Sequence, residues 1–198
     1  MARRKEGLNW SLVMVVFIVF VMISSTIGYI WIGSEGQSAT FKYNDYKFTR
    51  DTAGYHTTIN GIPLDFVYSP QELENTTQDF FNRSSVDAVK DSLFVYMTSD
   101  INDTYREDIA SFEYQLSQLL EKKFTIFSQT GFTNETVSNI PVVDCINVSS
   151  RVSVLYLYSS DSTKTELNEG CMEISFADKQ DLAKTQDLFL YLLFGIIK

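Results

Sequence analysis

Two aspartates and an asparagine in one short polar run, Thr98-Ser99-Asp100-Ile101-Asn102-Asp103, are the residues of this chain best placed to do chemistry. The run follows a strand-like segment and precedes a helical one, which is where α/β folds gather ligands beyond the carboxyl ends of their strands. Asp100, Asn102 and Asp103 there make a candidate ligand loop, and two carboxylates so close together suit a metal-assisted hydrolase. As a calcium loop the run lacks glycine at the sixth position and a carboxylate at the twelfth. Read without a ligand, it is a loop that caps the next helix and carries a glycosylation sequon.

The other catalytic signatures are missing. No G-x-S-x-G elbow occurs, and neither G-x-G-x-x-G nor G-x-x-x-x-G-K-[ST] is present, which disfavours nucleotide-dependent chemistry. The one histidine, His56, lies in a predicted strand beside Tyr55, so it reads as a surface or edge-strand residue rather than a catalytic base. Ser160, Asp161, Ser162 and Lys164 lack the S-x-x-K spacing of a Ser-Lys dyad and read as a turn. Tetrahedral zinc needs four ligands, and no CxxC or HxxxH spacing supplies them, so no metal or other cofactor is expected.

Cys145 and Cys171 are the only cysteines. In an oxidising compartment they would form one disulfide closing a loop of roughly 25 residues, worth about 3 kcal/mol on the loop-entropy account. The neighbouring runs Val142-Val143 and Met172-Glu173-Ile174 are β-type and would pair as neighbours; two buried free thiols are the alternative.

What must hold these residues is an exported domain. Residues 10–32 read WSLVMVVFIVFVMISSTIGYIWI, without one charged side chain, long enough to cross a hydrocarbon core of about 30 Å. Trp10 at one end and Tyr29 with Trp31 at the other suit the interfacial aromatic belts. Arg3, Arg4 and Lys5 precede the segment while Glu35 and Asp45 follow it, so residues 1–9 are expected in the cytoplasm and the domain outside. A cleavable signal peptide has a shorter apolar core, and the best cleavage site here, near Ala39, is poor. The leader Arg3-Arg4-Lys5-Glu6-Gly7 resembles that of type IV pilins. However, Gly33-Ser34-Glu35-Gly36 stops the helix where a pilin stalk would continue, so a pilin-like subunit is a lesser alternative.

Net charge is −9, and the basic start leaves about −11 on the rest of the chain, which repels phosphate backbones and excludes nucleic acid as a partner. Asn75, Asn82, Asn102, Asn134 and Asn147 each begin an N-x-S/T sequon, an excess that favours a glycosylated surface outside the cell.

A Gly/Ser-containing linker over 33–40 leads into one domain, 41–198. Alternating residues at Tyr46 and Phe48, at Tyr55, Thr57 and Ile59, and at Ile62, Leu64, Phe66 and Tyr68 predict an antiparallel meander, with Asn60-Gly61 as a type I′ turn. Ser69-Pro70-Gln71-Glu72 is a capping box that should start a helix running to about Asn82. Leu93–Met97 reads as a strand, and Tyr105, Ile109, Phe112, Leu116, Leu119 and Leu120 predict an amphipathic helix over 104–122, capped by Asn102 or Asp103. Strands are expected at 124–127, 142–146, 152–158 and 171–176, and a terminal helix from Asp178. The fold class is α+β, or mixed α/β: a transmembrane helix, then a compact extracytoplasmic domain with a C-terminal core helix.

The stretches Tyr46-Lys47-Phe48 through Asn60-Gly61 to Glu72-Leu73-Glu74, and Cys171-Met172-Glu173-Ile174 through Asp181-Leu182 to Gly195-Ile196, resemble uncharacterised single-pass membrane proteins of archaea. The resemblance implies an exported domain and supplies no catalytic residue.

Leu188–Ile197 is uncharged and apolar on every face, so something must cover it. It is expected to be a core helix; the competing reading makes Phe189, Leu193, Phe194 and Ile197 a docking surface for a partner or for lipid. Function on this reading is a membrane-anchored, non-enzymatic binding or scaffold protein of the cell envelope, with another envelope protein as partner.

Overall fold

The computed structural model describes residues 13–23, 39–75, 81, 83–134 and 139–198. Of the predicted span over 10–32, residues 13–23 form a helix with exposed side chains, α1, and the remainder lies outside the described residues. Among the described residues no helix is long and apolar enough to cross a membrane.

The meander is present and one strand longer than expected. Strands β1 (Ala39–Tyr43), β2 (Tyr46–Arg50), β3 (Tyr55–Ile59) and β4 (Ile62–Phe66) form an antiparallel sheet in chain order. Residues 39 and 40 are thus strand rather than linker. Asn60 and Gly61 have φ of 50° and 82°, the paired positive values a type I′ hairpin turn demands. Inward-facing Tyr43, Phe48, Ile59, Leu64 and Phe66 are buried, and the alternate positions face outward.

Helix α2 (Pro70–Glu74) opens on the expected capping box: Ser69 Oγ accepts from the Glu72 backbone N–H, and Glu72 Oε2 accepts from the Ser69 N–H at 2.7 Å. It ends at cap Asn75, well short of Asn82, which itself lies outside the described residues. Helix α3 (Arg83–Lys90) was not expected; its short polar run gives Val86 and Val89 as the only large apolar residues for a periodicity to show.

The second sheet has the order β6-β5-β7-β9-β8. Strands β5 (Phe94–Ser99), β6 (Phe127–Phe132), β7 (Val152–Ser159) and β9 (Cys171–Phe176) run parallel, and β8 (Lys164–Asn168) pairs antiparallel with β9. Helix α4 (Arg106–Leu119) connects β5 to β6 and buries Ile109, Phe112 and Leu116. It then passes into a π-helical turn, Leu120–Phe124, which pushes the strand expected at 124–127 along to 127–132. The strand expected over 142–146 is only a single bridge from Val142 to Phe132, followed by a 3-10 turn at Cys145–Asn147.

Helix α5 (Lys179–Leu193) starts at Asp178, whose side chain accepts from the Asp181 N–H, and its second half, residues 187–193, is buried on every side. It touches α2, α3 and β9. The Tyr191 ring stacks on Phe66 at 4.2 Å and meets Phe48 edge-on, both from the meander, while Phe189 packs against Phe81 and against Phe112 of α4. Phe189, Leu193, Phe194 and Ile197 are 0, 1, 8 and 2% exposed. The docking-surface reading of these four is therefore corrected: the domain's own elements cover them.

The end of α5 is a Schellman motif. Gly195 has φ of +69°, the Ile196 N–H reaches the Tyr191 carbonyl at 2.8 Å, and the Gly195 N–H reaches that of Leu192 at 3.1 Å. The Ile196, Phe194 and Leu192 carbonyls accept in addition from Asn44, Tyr46 and Lys90, so the meander and α3 finish the helix.

Each large side chain of 188–197 contributes about 1.5 to 3 kcal/mol by burial, and together they exceed the net stability of a typical domain. Deleting residues 188–198 is expected to abolish the cooperative thermal transition followed by circular dichroism. A truncated chain that melts like the intact one would show the segment to be an accessory.

Candidate functional site

Three places hold polar side chains that sequence or burial singles out: the loop after β5, the histidine on the meander, and the outer face of the mixed sheet.

The loop after β5 sits at a topological switch point, because β5 connects onward to β6 on one side while β7 lies on its other side. Its carboxylates are taken up by the backbone. Asp100 Oδ1 accepts from the Asn102 N–H at 2.7 Å and from Asn134 Nδ2 at 2.8 Å. Asp103 Oδ1 accepts from the Tyr105 N–H and Oδ2 from the Ser159 N–H, at 2.8 and 2.7 Å. Asp103 therefore orders the turn that enters α4 and ties it to the end of β7, but the N-cap is Tyr105, without a side-chain cap bond, rather than Asn102 or Asp103 as expected. Asn102 is exposed beside them.

His56 lies on the outward face of β3, between Asp65 on β4 and Asp51 in the β2–β3 turn. Its Nδ1 is 2.7 Å from Asp65 Oδ1 and its Nε2 is 3.0 Å from Asp51 Oδ1. Hydrogen bonds to Asp65 and then Asp51 raise its pKa, and the His56 contact leads the lowering at Asp51. The arrangement clips a turn to the outer face of the sheet, on an interior strand rather than an edge. Ser160 Oγ donates to the Ser162 carbonyl and Lys164 pairs with Glu166 at 2.9 Å, so no Ser-Lys dyad forms there.

Cys145 and Cys171 are joined as a disulfide, with Cα atoms 5.3 Å apart. The bridge reaches from the 3-10 turn to the start of β9 across the sheet, rather than between paired neighbouring strands as expected. Among the described residues the only cluster of three side chains able to hold a metal is Cys145, Cys171 and Glu173, whose two sulfurs are consumed by that bridge.

Two buried acids escaped sequence analysis. Asp187 on α5 is 5% exposed, and its Oδ2 accepts from the Val67 and Tyr68 N–H groups at 2.8 Å each. Burial nevertheless pushes its pKa up to about 7. Glu113 on α4 is 2% exposed, burial pushes its pKa to about 8, and its Oε1 has no hydrogen-bond partner among the described residues. A helical-wheel plot places Glu113 on the apolar stripe between Ile109 and Leu116, the one signal that could have flagged it.

No protein-family model, curated protein or solved structure matches this chain. Its chemistry must be read from its own surface.

The helices pack on the face of the mixed sheet that carries Val95, Met97, Leu155, Leu157, Met172, Ile174 and Phe176. Among the described residues the opposite face carries the segment around the disulfide, where Val143, Val154 and Cys171 form a small second core. Gly131 is required there, since a Cβ would stand 2.6 Å from Val143 Cγ2. Beyond that segment the face displays Tyr156 and Tyr158, stacked at 4.8 Å and 28°, with Glu173 beside Tyr156 and Glu166 opposite Glu173. The two tyrosines two apart in one strand were the overlooked sequence signal. Of the sequon asparagines, Asn75, Asn102, Asn134 and Asn147 are exposed.

The buried acids fix a pH dependence. Glu113 and Asp187 bind protons more tightly folded than unfolded, so their contribution is intact below about pH 4 and is lost as pH rises through about 7 and 8. The raised pKa of His56 acts in the same direction, while the lowered ones of Asp51 and Asp181 withdraw stability only in stronger acid. Melting temperature is expected to peak near pH 5 and to fall by roughly 10 °C by pH 9. Glu113→Gln should flatten that slope; an unchanged slope in the variant would reject the assignment.

Proposed function

We propose that this chain is a membrane-anchored domain displayed outside the cytoplasm, where it binds or scaffolds another component of the cell envelope and performs no chemistry of its own. The Cys145–Cys171 disulfide carries the reading, since such bridges persist in oxidising compartments. Exposure of four sequon asparagines, the uncharged run over 10–32 behind Arg3, Arg4 and Lys5, and the resemblance to archaeal single-pass proteins all point the same way.

A binding role is favoured over a metal-assisted hydrolase by the state of Asp100 and Asp103. A hydrolytic metal needs carboxylate oxygens directed at a common point. Here both side chains accept from backbone N–H groups of the loop and of β7, which fixes them as structural acceptors. Asp100→Asn and Asp103→Asn variants are then expected to lose stability without losing partner binding.

Protease added to intact cells should remove the domain and leave residues 1–9 protected. Mass spectrometry of non-reduced peptides from the same preparation should recover Cys145 linked to Cys171. Protection of the domain, or both thiols free to alkylation in fresh protein, would overturn the extracytoplasmic placement.

A further inference from the structure

Strand β4 is an edge of the meander, paired with β3 alone. The two-residue turn at Asn60-Gly61 makes Ile59 and Ile62 a hydrogen-bonded pair, and the bonded pairs recur at Thr57 with Leu64 and at Tyr55 with Phe66. The backbone groups of the alternate residues, Pro63, Asp65 and Val67, therefore point away from the sheet. Pro63 suits such a position because it has no N–H to leave unpaired. Asp187 Oδ2 accepts from the Val67 N–H at 2.8 Å, as the carbonyl of a neighbouring strand would. Among the described residues, the Pro63 carbonyl and both backbone groups of Asp65 are left without a partner.

This edge is one wall of a groove of about 540 Å³, within the size range of binding sites. Every residue of β4 lines it, so the groove runs along the whole strand. The facing wall is α4, with Tyr114, Gln118 and Leu119, and Asp187 and Leu190 of α5 lie buried beneath. The Tyr114 ring is 69% exposed. Free backbone groups spaced along an edge are matched in register by another extended backbone, and the pockets beside them select its side chains. The amides of Gln115, Gln118 and Gln186 border the same groove and both donate and accept, which suits a neutral peptide chain. Lys122 is the one lysine or arginine in the lining, against Asp65 and Asp187, so no anion is favoured. A second copy cannot bring its own β4 to this edge, because α4 walls that strand in each copy.

We infer that the groove between β4 and α4 binds an extended segment of a partner protein, which adds to the meander as a fifth strand beside β4. Its backbone donates to the Pro63 and Asp65 carbonyls and accepts from the Asp65 N–H, and an apolar side chain lies on Leu119 and Leu190. The inference rests on the binding-module reading above and states how the partner is held.

The test begins with a phage-displayed library of random peptides selected on the full-length chain in a non-ionic detergent, and continues with calorimetric titration of a selected peptide. The Asp65 amide is expected to exchange fast in the free chain and at least about tenfold more slowly with peptide bound. Versions of the peptide N-methylated at the odd or at the even amides should differ in affinity by more than about tenfold, since a strand held along one edge donates from one set only. Gln118→Trp fills the groove and should weaken binding roughly tenfold, and Tyr114→Ala, at an exposed position, about threefold. Asp161→Trp, in the exposed turn between β7 and β8, should change it less than about twofold. Should the Gln118 variant fail to fold, Tyr114→Ala and the methylated peptides, measured on the unaltered chain, decide the matter. No selected peptide, equal effects of the two methylation patterns, or binding unmoved by Gln118→Trp would overturn the inference. So would an Asp65 amide already protected in the free chain, because a segment of the chain itself or a second copy would then fill the groove. Those results leave the membrane placement standing, and a reversed topology on cells leaves the titration standing.

Discussion

Burial of the C-terminal half of the last helix, residues 187–193, on all sides is the constraint from which the rest of the architecture follows. A helix apolar around its whole circumference cannot lie on one sheet with its back to water. Here α5 has β9 and α3 for neighbours on the mixed-sheet side, and the meander receives Tyr191 on Phe66 and Phe48. The two sheets, which share no strand, are joined into one core through this helix. Its buried terminus also leaves carbonyls that water cannot reach. Asn44 and Tyr46 from the first hairpin and Lys90 from α3 supply the donors, so the order of the meander depends on where α5 ends.

Concentrating the helices on one face leaves the other face of the mixed sheet, among the described residues, to the segment between β6 and β7. The chain between β6 and β7 crosses there with few of its described apolar side chains buried; Val143 is buried, whereas Val142 and Ile146 are 47 and 88% exposed. Such a segment gains little by burial, and the Cys145–Cys171 bridge holds it where a crossover helix would otherwise lie, at about 3 kcal/mol in loop entropy. Close approach at Gly131 and the bond from Thr98 Oγ1 to the Val143 carbonyl complete the attachment. The disulfide thus answers a deficit in the packing, which is why it spans the sheet face instead of linking neighbouring strands.

Much of the domain was legible where the signal is local. Asn60-Gly61 determines its hairpin through two positive φ values, Ser69-Pro70-Gln71-Glu72 starts its helix, and the stripe from Ile109 to Leu120 marks the buried side of α4. What stayed hidden depends on contacts distant in sequence. Val142 pairs with Phe132 rather than with β9, and β8, whose residues alternate but are mostly polar, becomes a strand only because β9 offers it an edge. Helix α3 carries too few apolar residues for a periodicity to register and is stabilised by what it meets, including the Ser92–Ser153 hydroxyl contact at 2.6 Å just beyond its end. The role of Asp187 is invisible for the same reason, since the N–H groups it receives belong to residues about 120 positions away.

The acidic composition takes on a different meaning once these partners are known. Asp51, Asp100, Asp103, Asp144, Asp178 and Asp187 each accept at least one backbone N–H, so a good part of the negative charge is fastening turns and helix starts. A carboxylate satisfied by amides is held in place and is poorly available to a metal, although burial still pushes the pKa of Asp187 up to about 7. Two aspartates close together after a strand look like a ligand loop in sequence because the same short side chains that bind ions also bind backbone, and spacing alone does not separate the two uses. Glu166 and Glu173 stand on the outer face of the mixed sheet next to paired aromatic rings, where their nearest partners are side chains. The loop that attracts attention in the sequence is the part that holds the ends of β5 and β7 together.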